Sequence, residues 1–212
     1  MDMLKRNRKI KIIVKACLTC ILTALSIKAY TSEIVKIELG DEIYSIPKNY
    51  LSPNEGLRNA QVANGMVEIG MFLPDYSGYS GNRNLPTVGP YDENQISAFW
   101  TSKGTGKRLD AQYRLDNGLK YNLVKRSEED DILGLVAYRH SHNKGISYIG
   151  RNTFGYLVEI DCFEKVINQL CKAQYYDEKE DIGLFFSFDH KHLSQWTDIN
   201  KVLITKMLQW KA

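Results

Sequence analysis

Signatures of catalysis are scarce in this chain of 212 residues. The serines of Tyr76-Ser77-Gly78-Tyr79-Ser80-Gly81 lie among glycines but form no Gly-x-Ser-x-Gly elbow, and no strand-to-helix context follows them, which removes the nucleophile turn of the α/β-hydrolases. Gly104-Thr105-Gly106-Lys107 lacks the spacing of a phosphate-cradling loop. Glu128-Glu129-Asp130-Asp131 lacks the alternating ligands and the glycine of a calcium loop, and reads as a solvated turn or a docking point for a basic partner. There is no internal repeat. The uncharged stretch Ala16 to Ile27, twelve residues, falls short of the roughly 20 that cross a bilayer, and extending it back to Ile10 brings in Lys11 and Lys15.

That short stretch is informative for another reason. Lys5, Arg6, Arg8, Lys9 and Lys11 precede it, and the small residues Ala29, Thr31 and Ser32 follow it. A basic head, a short apolar centre and a small-residue end are the parts of a secretory signal, so residues 1–29 read as a signal peptide cut between about 29 and 32, with export to the periplasm. An uncleaved anchor is the competing reading. Removing residues 1–29 takes out seven of 28 basic residues and one of 25 acids, leaving 21 against 24 and turning a net +3 into −3. The basic balance thus belongs to the leader, and a nucleic-acid partner loses its support. Residues 33–212 suffice for a single sheet-rich domain.

Cysteine divides the same way, since Cys17 and Cys20 lie in the leader while Cys162 and Cys171 lie beyond it. In an oxidising compartment the second pair favours a disulfide. Asp161 and Glu164 form a possible capping box ahead of Phe163, Val166, Ile167, Leu170 and Cys171 at helical spacing. A helix carrying both sulfurs would separate them by roughly 13.5 Å along its axis, beyond bridging distance. Helix and bridge exclude each other; the bridge, with a loop or single turn joining two strands, is the favoured reading, against two buried thiols.

Elsewhere short alternating runs dominate. Ile34–Leu39 and Glu42–Ile46 flank Gly40-Asp41 as a hairpin, and further strands are expected at 66–73, 96–101, 119–125, 132–139, 146–149, 156–162 and 184–188. From Ser194 on, Trp196, Ile199, Leu203, Met207 and Trp210 recur at spacings of three and four, an amphipathic helix whose apolar stripe seals one face of a sheet. The expected class is α+β: a mainly antiparallel sheet with a C-terminal helix packed on it. Residues 74–94 hold three of the five prolines together with Tyr76, Tyr79 and Tyr91, and read as a long loop, either a mobile insertion or a partner-binding surface in which those rings make contact.

All four histidines fall in two His-x-His pairs, His140/His142 and His190/His192. On strands each pair would share a face and could chelate a metal, the sharpest enzymatic hint in the chain. Arg139-His140-Ser141-His142-Asn143-Lys144-Gly145 reads equally as a solvated hairpin tip. No cofactor is implied and no catalytic residue is assigned.

Two ends of the chain carry a resemblance. Val35-x-Ile37 with Tyr44-Ser45-Ile46-Pro47-Lys48-Asn49-Tyr50-Leu51, then Cys162, Cys171 and His192-Leu193-Ser194-Gln195-Trp196-Thr197-Asp198-Ile199, are similar to small exported immunity proteins of type VI secretion systems, particularly those guarding the periplasm against lipase-type effectors. The resemblance implies stoichiometric binding of a cognate toxin without turnover. An envelope interaction protein of another role and a metal-binding enzyme are the alternatives. No contact residue transfers from the family, because the matching residues have structural explanations: Pro47 ends a strand for want of an N–H.

Overall fold

The computed structural model describes residues 33–52, 55–79, 92–102, 106–143, 145–163, 170–178 and 182–212. The leader, most of the loop 74–94 and the segment between the two paired cysteines lie outside them. No helix among the described residues is long and apolar enough to cross a membrane.

The chain from Ile34 onward forms one unit. It opens with the hairpin β1 (Ile34–Leu39) and β2 (Glu42–Pro47), turned at Gly40, whose φ of +67° suits glycine. A short helix α1 (Glu55–Ala63) leads to β3 (Met66–Phe72), and β4 (Gln95–Thr101) pairs back on it. Helix α2 (Ala111–Lys120) then precedes a meander of β5 (Val124–Arg126), β6 (Val136–His140), β7 (Gly145–Arg151), β8 (Leu157–Phe163), β9 (Leu170–Asp177) and β10 (Ile182–Asp189). Helix α3 (Trp196–Trp210) closes the fold. Eight strands make one antiparallel sheet in the order β3-β4-β10-β9-β8-β7-β6-β5, with β10 inserted beside β4. The α+β expectation and the helix packed on the sheet are both realised.

Alternation decides what holds this sheet. Ile69 and Met71 on β3, Ile96, Ala98 and Trp100 on β4, Phe186 and Phe188 on β10, Cys171 and Ala173 on β9, and Val158 and Ile160 on β8 are at most 1% exposed and share one face. Onto it α3 lays Trp196, Ile199, Leu203, Ile204 and Met207. Trp210 sits 5.8 Å from Trp100 and 5.0 Å from Tyr50, and the Lys206 ammonium lies 4.4 Å from the Tyr50 ring, tying the helix end to the hairpin side of the core. The hairpin adds Ile37, Leu39, Tyr44 and Ile46 to the same core.

The structure departs from the sequence reading at α1, which was not expected, at β6, which starts at Val136 and not at Ile132, and at α2. Residues 119–125, expected as a strand, are split: Leu119 and Lys120 end α2, and Val124–Arg126 pair with β6. Helix α2 itself carries Asn117 and Gly118, which mask its periodicity, yet Gly118 is what lets it close on the sheet, since a Cβ there would meet Val124 Cγ2 at 2.9 Å. The run from Leu170 is strand β9, so no helix passes through Cys171, in line with the favoured reading of a bridge between two strands.

Candidate functional site

The second face of the sheet is polar where the first is apolar. One cross-strand row on it runs Gly70, Ser97, Ser187, Lys172, Asp161, Ser147, Tyr138 and Arg126, from β3 to β5. The adjacent row places Glu68, Phe99, Phe185, Gln174 and Glu159 side by side. At one end of this face Tyr79 lies over β3: a Cβ on Gly70 would fall 1.7 Å from the Tyr79 hydroxyl, so any other residue there would displace the Tyr79 ring. At the other end α2 lies across β8 and β9 toward β5, started by Asp110, whose carboxylate accepts from the Tyr113 N–H at 2.6 Å.

Beneath α2 two carboxylates are enclosed. Glu159 and Asp161 project from β8 at i and i+2, their side chains 8% and 12% exposed. Arg114 of α2 reaches both, donating through Nε to Glu159 Oε2 and through Nη2 to Asp161 Oδ2 at 3.5 Å. Gln174 donates to Glu159 at 2.7 Å, and Ser147 donates its hydroxyl to Asp161. Burial and then the neighbouring Asp161 charge push the Glu159 carboxyl above its ordinary range; Arg114 and Gln174 pull it back only in part. Burial is the larger cause of the upward shift, and a second carboxylate sharing one guanidinium adds to it.

His140 Nε2 lies 2.8 Å from the Ser147 hydroxyl and 3.7 Å from Asp161 Oδ1. Serine, histidine and aspartate are thus together, but in an order unsuited to acyl transfer. Ser147 sits between the other two and gives its proton to the carboxylate, so the imidazole has no hydroxyl proton to abstract. Ser147 is 3% exposed, at the floor of a cleft beside α2. The arrangement braces α2 against β7 and β8. Clefts open on the surface beside α2: one of about 410 Å³ lined by Arg108, Asp110, Tyr113, Tyr176 and Glu178, another of about 420 Å³ in whose lining Arg108 and Tyr113 recur beside Arg114, His140 and Glu159.

Each residue expected from sequence can now be located. Cys162 and Cys171 are bridged, directly opposite each other across β8 and β9 with Cα atoms 4.2 Å apart. His140 ends β6 and His142 is exposed in the turn after it, while His190 and His192 occupy a 3-10 turn, so neither pair lies along one strand. His192 contacts the Glu93 carbonyl at 3.2 Å. Among the described residues the three groups that converge as possible metal ligands are Cys162, Cys171 and His190, and the two sulfurs are spent on each other. Tyr76 is half-buried, with its backbone carbonyl accepting from the Tyr50 hydroxyl at 3.1 Å, and Tyr79 packs edge-on to Phe72. Tyr91 lies outside the described residues.

The acidic run is not simply solvated: Asp131 takes a two-pronged bond from Arg126, and Asp130 accepts from Ser127 and Arg139, each at 2.6 Å. Sequence reasoning missed Arg114, Ser147, Glu159 and Asp161. A signal for the last two existed, since Glu159 and Asp161 alternate with Val158, Ile160 and Cys162 and must therefore face away from the core.

No family model and no curated protein matches the chain. Among solved structures it is similar to Smlt3025, an immunity protein of the Stenotrophomonas maltophilia type IV secretion system, with a TM-score of 0.57 and 16% identity over 86% of this chain and 95% of that one. At that identity the likeness is one of fold.

Proposed function

We propose that this is an immunity protein, a binder that neutralises a cognate secreted effector one-to-one and transforms nothing itself. The observation that carries the reading is the fold shared with Smlt3025 over most of both chains. The chemistry of the second face agrees with it, because its most enclosed polar groups are arranged as a brace and not as a nucleophile with its base. The resemblance at the two chain ends favours an effector of a type VI system, of the lipase kind, whereas Smlt3025 serves a type IV system. Binding would cover the effector's active site or its substrate entry.

The basic head, the apolar stretch Ala16 to Ile27 and the small residues after it favour periplasmic action, and a cross-strand disulfide suits an oxidising compartment. The test is co-expression with the product of the adjacent gene, directed to the periplasm. Protection of the cells and co-purification in equal amounts are expected. Protection that survives deletion of residues 1–29 would overturn the periplasmic part, and absence of both protection and co-purification would overturn the whole reading.

A further inference from the structure

The exposed apolar residues are unevenly placed. Tyr113, Leu119, Tyr121 and Leu123 all belong to α2 and the turn after it, at 62%, 44%, 61% and 46% exposure. They stand in a basic island: Arg108 to Arg126 contains five basic residues and two acids, in a chain whose residues 30–212 hold 21 against 24. Both acids are engaged locally, Asp110 as the cap of α2 and Asp116 as acceptor from Gln112 at 2.8 Å. Arg114 and Arg126 are spent on Glu159 and Asp161 and on Asp131. Arg108, Lys120 and Lys125 form no ion pair among the described residues, and Lys120 lies 5.2 Å from the Tyr121 ring.

Exposed tyrosines beside an unpaired guanidinium are the composition of interface hot spots, and uncommitted cations select an acidic counterpart. Arg108 and Tyr113 line both clefts, so a side chain entering either one meets the same fork and ring. Asp110 and Glu178 in one cleft and Glu159 in the other oppose a continuous polyanion such as a nucleic-acid backbone, so an acidic side chain is received at the Arg108 fork that both clefts share. We propose that α2 and its two clefts receive an acidic segment of a protein partner, with its carboxylates on Arg108 and Lys120 and its apolar atoms against Tyr113 and Tyr121. That partner is the effector, so the inference rests on the immunity reading.

Arg108→Glu and Tyr113→Ala, made together, change exposed side chains, and an unaltered melting temperature verifies the fold. By calorimetry against the adjacent gene's product, the double variant is expected to bind about 100-fold more weakly. Wild-type binding should weaken as salt rises, and Lys36→Glu, in the cleft between β1 and α1, should bind as wild type. Wild-type affinity in the double variant would overturn the surface while leaving the immunity reading intact. In a second arm, a hexaglutamate peptide is titrated into the isotope-labelled protein. Amide shifts centred on Arg108 to Leu123 are expected, and shifts centred elsewhere would overturn the proposal. Should the peptide map to α2 while the adjacent gene's product is not bound, the immunity reading fails and the acid-binding surface stands.

Discussion

The two faces of the eight-stranded sheet are made by alternate residues of the same strands, yet they answer to different physics. On one, Trp100, Phe186, Phe188 and Ile160 are fully buried under α3 and the hairpin. On the other, Glu159, Asp161, Gln174 and Ser147 are also buried, at 3–8% exposure, and each has a polar partner. The first face stabilises by excluded water and does not depend on pH. The second is conditional on one helix supplying one guanidinium.

The largest expected effect lies on the apolar face. Phe186→Ala should destabilise by about 3–5 kcal/mol in urea unfolding, at any pH where the protein is folded. Arg114→Ala should cost less, about 1–3 kcal/mol, because Arg114 is 38% exposed and water takes part of its place. Unlike the core variant it should recover stability on acidification, as Glu159 takes up its proton. Replacing Cys162 and Cys171 together by serine should cost about 2–3 kcal/mol, measured against the oxidised wild type.

Smaller effects separate two kinds of carboxylate. The Glu159 carboxyl titrates above its ordinary value in the fold, so the native state holds a proton that the unfolded chain has lost. Stability should then fall as pH rises from about 4.5 through the raised value, and Glu159→Gln should flatten that slope. Asp131 is held below its ordinary range, first by the Arg126 hydrogen bond and then by the Ala137 N–H. Its contribution is present above about pH 3.8 and disappears below as the proton returns, so Asp131→Asn should matter little in acid and most near neutrality. In a urea midpoint series across pH, the difference from wild type should change with pH in opposite directions for the two variants.

The apolar face was legible because burial writes itself into sequence as alternation: the runs at 66–73, 96–101 and 184–188 coincide with β3, β4 and β10, and the stripe from Trp196 to Trp210 with α3. The Cys162–Cys171 bridge was legible from an even pair of cysteines beyond the basic and apolar N-terminal segment, once that segment was read as an export signal. The polar face was not. Arg114 meets Glu159 across 45 positions, and nothing local in either strand or helix announces that meeting. Helix α2 was hidden by the Gly118 that lets it approach β5, and Leu119 beside it passed for the start of a strand. The histidine pairs suggested chelation from spacing alone, whereas His140 is held by a serine and His192 by a carbonyl.

Binding and catalysis are separated most directly by stoichiometry. The activity of the adjacent gene's product should be measured against increasing amounts of this protein, purified with its disulfide intact. Inhibition that grows in proportion and is complete at one molecule per effector is the predicted result; lasting inactivation by a small fraction of an equivalent would contradict it.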